Sequence, residues 1–298
     1  MIRAGIDIGT NTALMVIADV SADGSIDVLE DVHTLPRLGE GLMESGSISE
    51  SSILRAIDSM QTFASHLNVV KPERVRIVAT SAMREARNGS DVRRILEGIV
   101  GYPIEIIDGG TEARLTFLGA VGNRQTTELV IDIGGGSTEY AAGRDGVVST
   151  AQSIPIGAVK FTEQFARIRP VQPDAMDEAR HVVRSLLRDR RDLHGVSSTC
   201  TGVAGTPTAL AMIDAKQPSY RADVLDGYQL SHSRIAELGS WLCSLTLDEL
   251  RSIPGLHERR ADIVPMGAVI LAESMAVLGC TTMTVAVRGL RFGAMLTA

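Results

Sequence analysis

The chain opens on short apolar runs broken by polar turns. Residues 2–8 and 12–20 read as two strands joined at Gly9-Thr10-Asn11, and "GSIDVLEDVHTLP" continues as a third strand beyond a turn at Asp23-Gly24. The period then changes. In "SESSILRAIDSMQTFASHL" the apolar positions Ile53, Leu54, Ile57, Met60 and Ala64 recur at the spacing of one helix face, with Ser49 as the cap. "RVRIVATSAM" reads as a strand entering a polar loop, "GSDVRRILEGIVG" as a short helix and "PIEIID" as a strand. "TEARLTFLGAV" follows as a helix with Leu115, Leu118 and Val121 on its apolar face and Phe117 beside it.

After the polar link "GNRQTTE" the opening pattern returns. "ELVIDIGGGSTEYAAG", residues 128–143, bends at a glycine turn between two apolar strands, and "GVVSTAQSIPIG" supplies a third. Helices occupy 159–194, and "SSTCTGVAGTPTALAMI" is a strand with a Gly-rich turn. "RADIVPMGAVILAESMAVLG" reads as a buried helix and "TMTVAVRGLRFGAML" as a strand passing into a helix. The pattern predicts two α/β halves with a boundary between Val121 and Thr127, which sets the domains at 1–122 and 123–298.

Composition narrows the classes. A chain of 298 residues with 44% apolar content is long enough for two cores. It has no run of about 18 apolar residues and no signal-like start, so the cytoplasm is the expected compartment. Cys200, Cys243 and Cys280 are odd in number, widely spaced and in no C-x-x-C arrangement, which predicts small buried hydrophobes in place of a disulfide framework or a zinc site. The six histidines show no ligand spacing, and neither a G-x-S-x-G nor a P-loop lysine motif is present. A net charge of −7 argues against nucleic acid or an anionic membrane as partner, while leaving a local basic pocket open.

The two bends carry the candidate chemistry. A turn built of Gly134, Gly135 and Gly136 lets backbone N–H groups approach phosphate oxygens, and Ser137 and Thr138 add hydroxyls; Gly9, Thr10 and Asn11 form the counterpart. Asp7 and Asp132 close apolar strands, a position that costs free energy unless something satisfies the carboxylate. A hard cation between the two loops would do so, with Glu139 adding an oxygen. Either turn alone is explained as an ordinary hairpin. Made twice at matched places, the device suits a phosphate site with two loops facing each other across a cleft.

This arrangement resembles the actin-like ATPase superfamily, and further segments resemble one branch of it, the exopolyphosphatase/guanosine pentaphosphate phosphohydrolase family. They are "DIGTNTALMVIADV", "RLGEGL", "ATSAMREARN", "DGGTEARLTFLGAV", "VIDIGGGSTE", "VAGTPTALA", "IPGLHERRADIVPMGAVIL" and "VRGLRFGAM", in the family's order and spanning nearly the whole chain. The resemblance implies an α/β fold of two ribonuclease H-like (actin-like ATPase) domains, each a mixed five-stranded sheet flanked by helices, with an interdomain cleft. It implies an exopolyphosphatase that removes the terminal phosphate of inorganic polyphosphate, or alternatively the 5′-phosphate of guanosine pentaphosphate, using Mg2+ or Mn2+. A homodimer stays open as a partner state. By the same carry-over Glu112 matches the catalytic glutamate that orients or deprotonates water, and Arg84 a phosphate-binding arginine. Asp132 and Glu139 match the acidic pair that serves metal or water, while Asp7, Thr10 and Asn11 line the first loop.

Glu112 falls in the first turn of its helix, where the dipole favours the ionised form by about 0.3–1 kcal/mol. Convergence with Asp132 and Glu139 would oppose that, since unit charges about 4 Å apart interact by about 4 kcal/mol at an effective dielectric near 20. On that reading the site needs its cation. Each residue also has a plainer explanation: Glu112 as a solvated helix acid, Arg84 as a surface partner of Glu85 or Asp91, and "RSLLRDRRD" as a solvated helix face. "VAGTPTALA" either holds ligand or turns a strand into a helix. An actin-superfamily kinase would need it as an adenosine pocket, and a non-catalytic sensor would bind phosphate ligands without turnover.

The chain departs from the family pattern at Phe292, where a glutamate usually stands between Arg291 and Gly293. It also stops soon after "GLRFGAM", where longer relatives continue into a helical region, so a weaker grip on long polyphosphate is expected.

Overall fold

The computed structural model describes residues 1–122, 124 and 126–298. The chain forms two compact units, Met1–Gly119 together with Leu290–Ala298, and Ala120–Gly289.

In the first unit the strands are β1 Ile2–Ile8, β2 Ala13–Val20, β3 Ile26–Thr34, β4 Arg74–Ala79 and β5 Ile104–Ile106. They form one sheet in the order β3-β2-β1-β4-β5, with β1, β2 and β3 antiparallel and β1, β4 and β5 parallel. Its helices are α1 Leu42–Ser45, α2 Glu50–Val70, α3 Ser81–Glu85, α4 Gly89–Val100 and α5 Gly109–Val121, the last running on into the second unit. Alternation along β1 and β2 sends Ala4, Ile6, Ile8, Ala13, Met15 and Ile17 into a core with Met60 and Phe63 of α2 and Leu96 of α4.

Ser49 caps α2 as expected, accepting from the Ser52 N–H at 3.2 Å. The buried face of α2 differs from the one read from the sequence. Ser52, Ala56, Ser59, Met60, Phe63 and Leu67 face inward, while Leu54 is 57% exposed. Two serines lie on the inward stripe with their hydroxyls satisfied by carbonyls, Ser52 by that of Arg37 in the preceding loop and Ser59 by that of Arg55 one turn back, so a count of apolar residues points one step round the helix.

The other face of this sheet is covered by the end of the chain. Helix α13, Leu290–Leu296, lays Phe292 and Met295 against Val16 and Ala18 of β2. It sits so close that a Cβ at Gly5 would stand 2.0 Å from the Arg291 carbonyl oxygen. Arg291, 5% exposed, is held by both oxygens of Asp31 on β3 at 3.0 and 2.9 Å. A second domain drawn as 123–298 therefore misplaces the last nine residues, because their apolar side chains complete the first core. The expected link around residues 122–128 includes Asn123 and Gln125, which lie outside the described residues.

The second unit holds β6 Thr127–Ile133, β7 Thr138–Arg144, β8 Val147–Ile154, β9 Thr199–Val203, β10 Gln229–Ser231 and β11 Thr282–Val285, in the order β10-β11-β9-β6-β7-β8. Its helices are α6 Ala158–Phe165, α7 Pro173–Arg188, α8 Gly205–Asp214, α9 Ala222–Leu225, α10 His232–Cys243, α11 Leu247–Arg251 and α12 Val264–Leu278. Five of the strands repeat the first sheet. The sixth, β10, adds an antiparallel edge that was not expected, since its one apolar residue, Leu230, shows no alternation.

Helix α12 is buried along almost its whole length, as its sequence predicts, and packs with Ile131, Val183 and Leu187 in one core. Its one acid, Glu273, is met by Arg184 Nε at 2.6 Å and Arg180 Nε at 3.6 Å from α7. The three cysteines are free and buried, as expected, and burial pushes the Cys243 thiol up to about 11.

Candidate active site

In the second unit β6 and β7 are joined by the turn Gly134–Ser137, closed by a bond from the Gly134 N–H to the Ser137 carbonyl at 3.0 Å. A Cβ at Gly134 would stand 2.8 Å from that carbonyl oxygen, so the bend requires glycine. The first residues of α6 hold the far edge of the turn. The Ala158 and Val159 N–H groups donate to the Gly134 and Gly135 carbonyls, both at 2.9 Å. The carbonyl edge is thereby committed to the helix.

Across the strands at this turn runs a row of polar side chains. Asp132 on β6 lies directly opposite Glu139 on β7, and Glu139 directly opposite Ser153 on β8, so all three project from one face of the sheet. Asp132 is 8% and Glu139 2% exposed. The Ser153 hydroxyl donates to Glu139 Oε1 at 2.6 Å, and Glu139 Oε2 would lie 3.9 Å from a Cβ at Gly134. Thr138 is fully buried and its hydroxyl donates to the Ile156 carbonyl at 2.6 Å, so that side chain anchors the strand and does not offer a hydroxyl to a phosphate.

Two adjacent buried carboxylates need a positive counterpart or a proton. Among the described residues no group of three or more His, Cys, Asp or Glu side chains gathers as a metal site. The Asp132–Glu139 pair nevertheless suits magnesium, which takes one or two carboxylates and completes its shell with water and phosphate oxygens.

The first unit repeats the bend. The Gly9 N–H donates to the Thr12 carbonyl at 2.9 Å, and a Cβ at Gly9 would stand 3.0 Å from that oxygen. Here the carbonyl edge is held by "RLGEGL": the Gly39 N–H donates to the Thr10 carbonyl at 2.8 Å and the Arg37 N–H to the Asn11 carbonyl at 3.0 Å. The Thr10 methyl fills the space a Cβ at Gly39 would need, 2.2 Å away. Thr10 is therefore packed inward. Asn11 is buried too, and its Oδ1 has no hydrogen-bond partner among the described residues, which leaves an acceptor at the turn. Asp7, half-buried at the end of β1, has an oxygen 3.8 Å from the same hypothetical Cβ on Gly9.

Glu112 and Arg84 come together in this unit. The first turn of α5 is held by Asp108, whose carboxylate accepts from the Thr111 N–H and hydroxyl, both at 2.9 Å. Those bonds, the backbone one foremost, hold the Asp108 carboxyl below the usual carboxylate range. Glu112 then lies 6% exposed, with Oε2 accepting from Arg84 Nη1 at 3.1 Å, and the same nitrogen donates to the Ile107 carbonyl at 2.7 Å. Arg84 is thus not the surface partner of Glu85 or Asp91. Glu85 takes the Ser81 hydroxyl at 2.7 Å, and Asp91 pairs with Arg94. A guanidinium beside the candidate base compensates its charge and fixes one of its oxygens, a contact that sequence reasoning, concerned with like charges, did not supply.

"VAGTPTALA" turns β9 into α8, with Ala204 at φ 75° where the chain changes direction. Phe292 is 3% exposed in the core, and the Arg291 guanidinium carbon lies 4.9 Å from its ring centre, so this position is structural here. Ser153 was passed over because its strand shows no clean alternation. A register shift against β7 between Ala142 and Gly143 hides which residue faces Glu139.

Two sheets that share a strand order, each led by a hairpin bent at glycine, define an actin-like ATPase fold of two domains. The model of the Ppx/GppA phosphatase family matches residues 16–298, and the chain belongs to that family; it is a phosphatase. It is similar to Exopolyphosphatase 2 of Mycobacterium tuberculosis, 32% identical over 283 residues that cover 91% of this chain and 88% of that protein. The crystal structure of an exopolyphosphatase-like protein aligns at a TM-score of 0.91 and 32% identity, covering 99% of this chain and 96% of the other. That of an exopolyphosphatase from Cytophaga hutchinsonii aligns at 0.89 and 27% identity, covering 99% and 96%. No helix among the described residues is long and apolar enough to cross a membrane.

Proposed function

We propose that this phosphatase is an exopolyphosphatase, releasing the terminal phosphate of inorganic polyphosphate by attack of water. The observation that carries the reading is Glu112, buried in the first turn of α5 with one carboxylate oxygen held by Arg84. Anchored in this way, Glu112 is placed as the base that takes a water proton, and Arg84 adds positive charge beside the phosphate. Phosphoryl transfer asks mainly for positioning and charge stabilisation. The turn Gly134–Gly136 with Ser137, and the turn Gly9–Asn11, serve as phosphate-binding backbone in this reading. Asp132 and Glu139 would hold Mg2+ or Mn2+, which supplies charge neutralisation at phosphate oxygens when bound. Polyphosphate is preferred over guanosine pentaphosphate because the relatives cited above carry the former activity in their names.

The test is phosphate release from polyphosphate, guanosine pentaphosphate and ATP, with and without magnesium. Expected is magnesium-dependent release from polyphosphate, lowered in Glu112→Gln by about 10²–10⁴-fold. Unchanged release in Glu112→Gln would remove the base. Faster turnover of guanosine pentaphosphate would reassign the substrate, and ATP-dependent phosphorylation of a small acceptor would make the protein a kinase.

A further inference from the structure

We propose that Ser153 is a positioning residue for the Glu139 carboxylate, an inference that rests on the reading of Asp132 and Glu139 as the ion-holding pair. The Ser153 hydroxyl donates to Glu139 Oε1 at 2.6 Å, while Oε2 is the oxygen turned toward the glycine bend, 3.9 Å from a Cβ at Gly134. The hydroxyl therefore fixes the orientation of the carboxylate group, with one oxygen bound to Ser153 and the other toward the phosphate loop. Without it a glutamate side chain on a strand has several torsions free to swing the group away, and Asp132 next to it supplies a like charge that favours doing so.

The fold goes out of its way to put a serine there. Past the start of the β7–β8 hairpin, Gly143 pairs with Val148 but Ala142 pairs with Thr150, leaving Ser149 as the extra residue of a bulge. Ser149 fixes that bulge by donating from its hydroxyl to the Ala142 carbonyl at 3.0 Å. Counting on from a regular register would set Gln152 opposite Glu139, and the single inserted residue moves Ser153 into that place. Gln152 is directed elsewhere, donating from Nε2 to Asp192 at 2.5 Å. A hydroxyl is the small, neutral donor this position can use. A lysine or arginine would occupy the cation's role and compete with it.

The experiment compares Ser153→Ala, Ser153→Thr and Glu139→Gln with the wild-type protein in two assays, magnesium-dependent thermal stabilisation and phosphate release from polyphosphate. In Ser153→Ala the magnesium concentration giving half of the thermal shift is expected to rise about 10–100-fold, with kcat lowered by a similar factor. Without magnesium the melting temperature should fall by no more than the loss of this one hydrogen bond accounts for, and Ser153→Thr, which keeps the hydroxyl, should behave as wild type. Wild-type half-saturation and kcat in Ser153→Ala, while Glu139→Gln loses both, would overturn the role of Ser153 alone. A wild-type protein with neither a magnesium shift nor phosphate release would overturn the ion-pair reading and this inference with it.

Discussion

Across the first sheet the row that starts at Asp7 continues with Leu14 and His33; across the second the row that starts at Asp132 continues with Glu139 and Ser153. The backbones beneath the two rows match, down to the bond from the first glycine to a carbonyl three residues on. Each turn also has its carbonyls held from outside, by "RLGEGL" in one case and by the start of α6 in the other. What differs is the side-chain cargo. The first row carries one half-buried acid beside a leucine, and the second buries two acids beside a hydroxyl. The bend is thus a requirement of the hairpin, met by glycine whatever the chemistry, whereas the paired acid is particular to one half. A second contrast lies behind the sheets. Only the first unit is completed by a helix, α13, that joins it from the far end of the chain.

That second contrast gives the largest expected effect. Phe292→Ala should cost about 3–5 kcal/mol, read as a shift of the denaturant midpoint, because a buried ring over Val16 and Ala18 is deleted. A loss below about 1 kcal/mol would mean that α13 is an accessory to the first unit and no part of its core.

The difference between the rows is sharpened by magnesium. At a hundredfold excess over its dissociation constant the ion should stabilise the wild-type protein by about 2.7 kcal/mol, and chelation should remove the gain. Asp132→Asn should abolish most of this shift and Asp7→Asn much less of it. Equal losses would show that the acid pair is not what distinguishes the second row.

Their common backbone is probed by alanine at each bend. Gly134→Ala forces a Cβ to within 2.8 Å of the Ser137 carbonyl, and Gly9→Ala to within 3.0 Å of the Thr12 carbonyl. Both should lose about 1–3 kcal/mol in chemical denaturation, with the larger loss at Gly134. A neutral Gly9→Ala would break the equivalence of the two turns.

The smallest effect concerns Asp31. Burial raises its carboxyl, but the His33 hydrogen bond and the Arg291 charge outweigh that and leave it lowered from the ordinary 3.8. A lowered carboxyl adds stability above its unfolded value, lost as the pH falls through the folded one. Wild type should therefore exceed Asp31→Asn in stability at neutral pH, and the gap should close in acid below 3.8. A gap independent of pH would mean that Asp31 acts through packing and not through its charge.

Much of this was legible in the sequence for a physical reason. Asp7, Asp132 and the glycines stand at fixed offsets from apolar runs, and an acid or a bare turn at a strand end is costly enough to be conspicuous. Glu112 was reached through the family resemblance of "DGGTEARLTFLGAV", since a first-turn acid by itself reads as a solvated one; Asp108 and Thr111 build the helix start that carries it. What was hidden depends on distance along the chain. Nothing near Arg84 announces Glu112, 28 residues away, and nothing near Phe292 announces β2. Ser153 was concealed by a single extra residue that no periodicity records. Thr138 misled because a hydroxyl beside a phosphate-type loop looks the same in sequence whether it points to a ligand or into the strand below.

The ion pair between Asp31 and Arg291 joins residues 260 positions apart, and the helix carrying Arg291 is translated after the whole second unit. A nascent chain that has delivered its first sheet still presents Val16 and Ala18 to water on one side, and the aromatic ring that covers them arrives only after the second unit has been made. The second core, which needs Met283 and Val285 of β11, closes only a few residues earlier. The half that is made first is the half that must finish last.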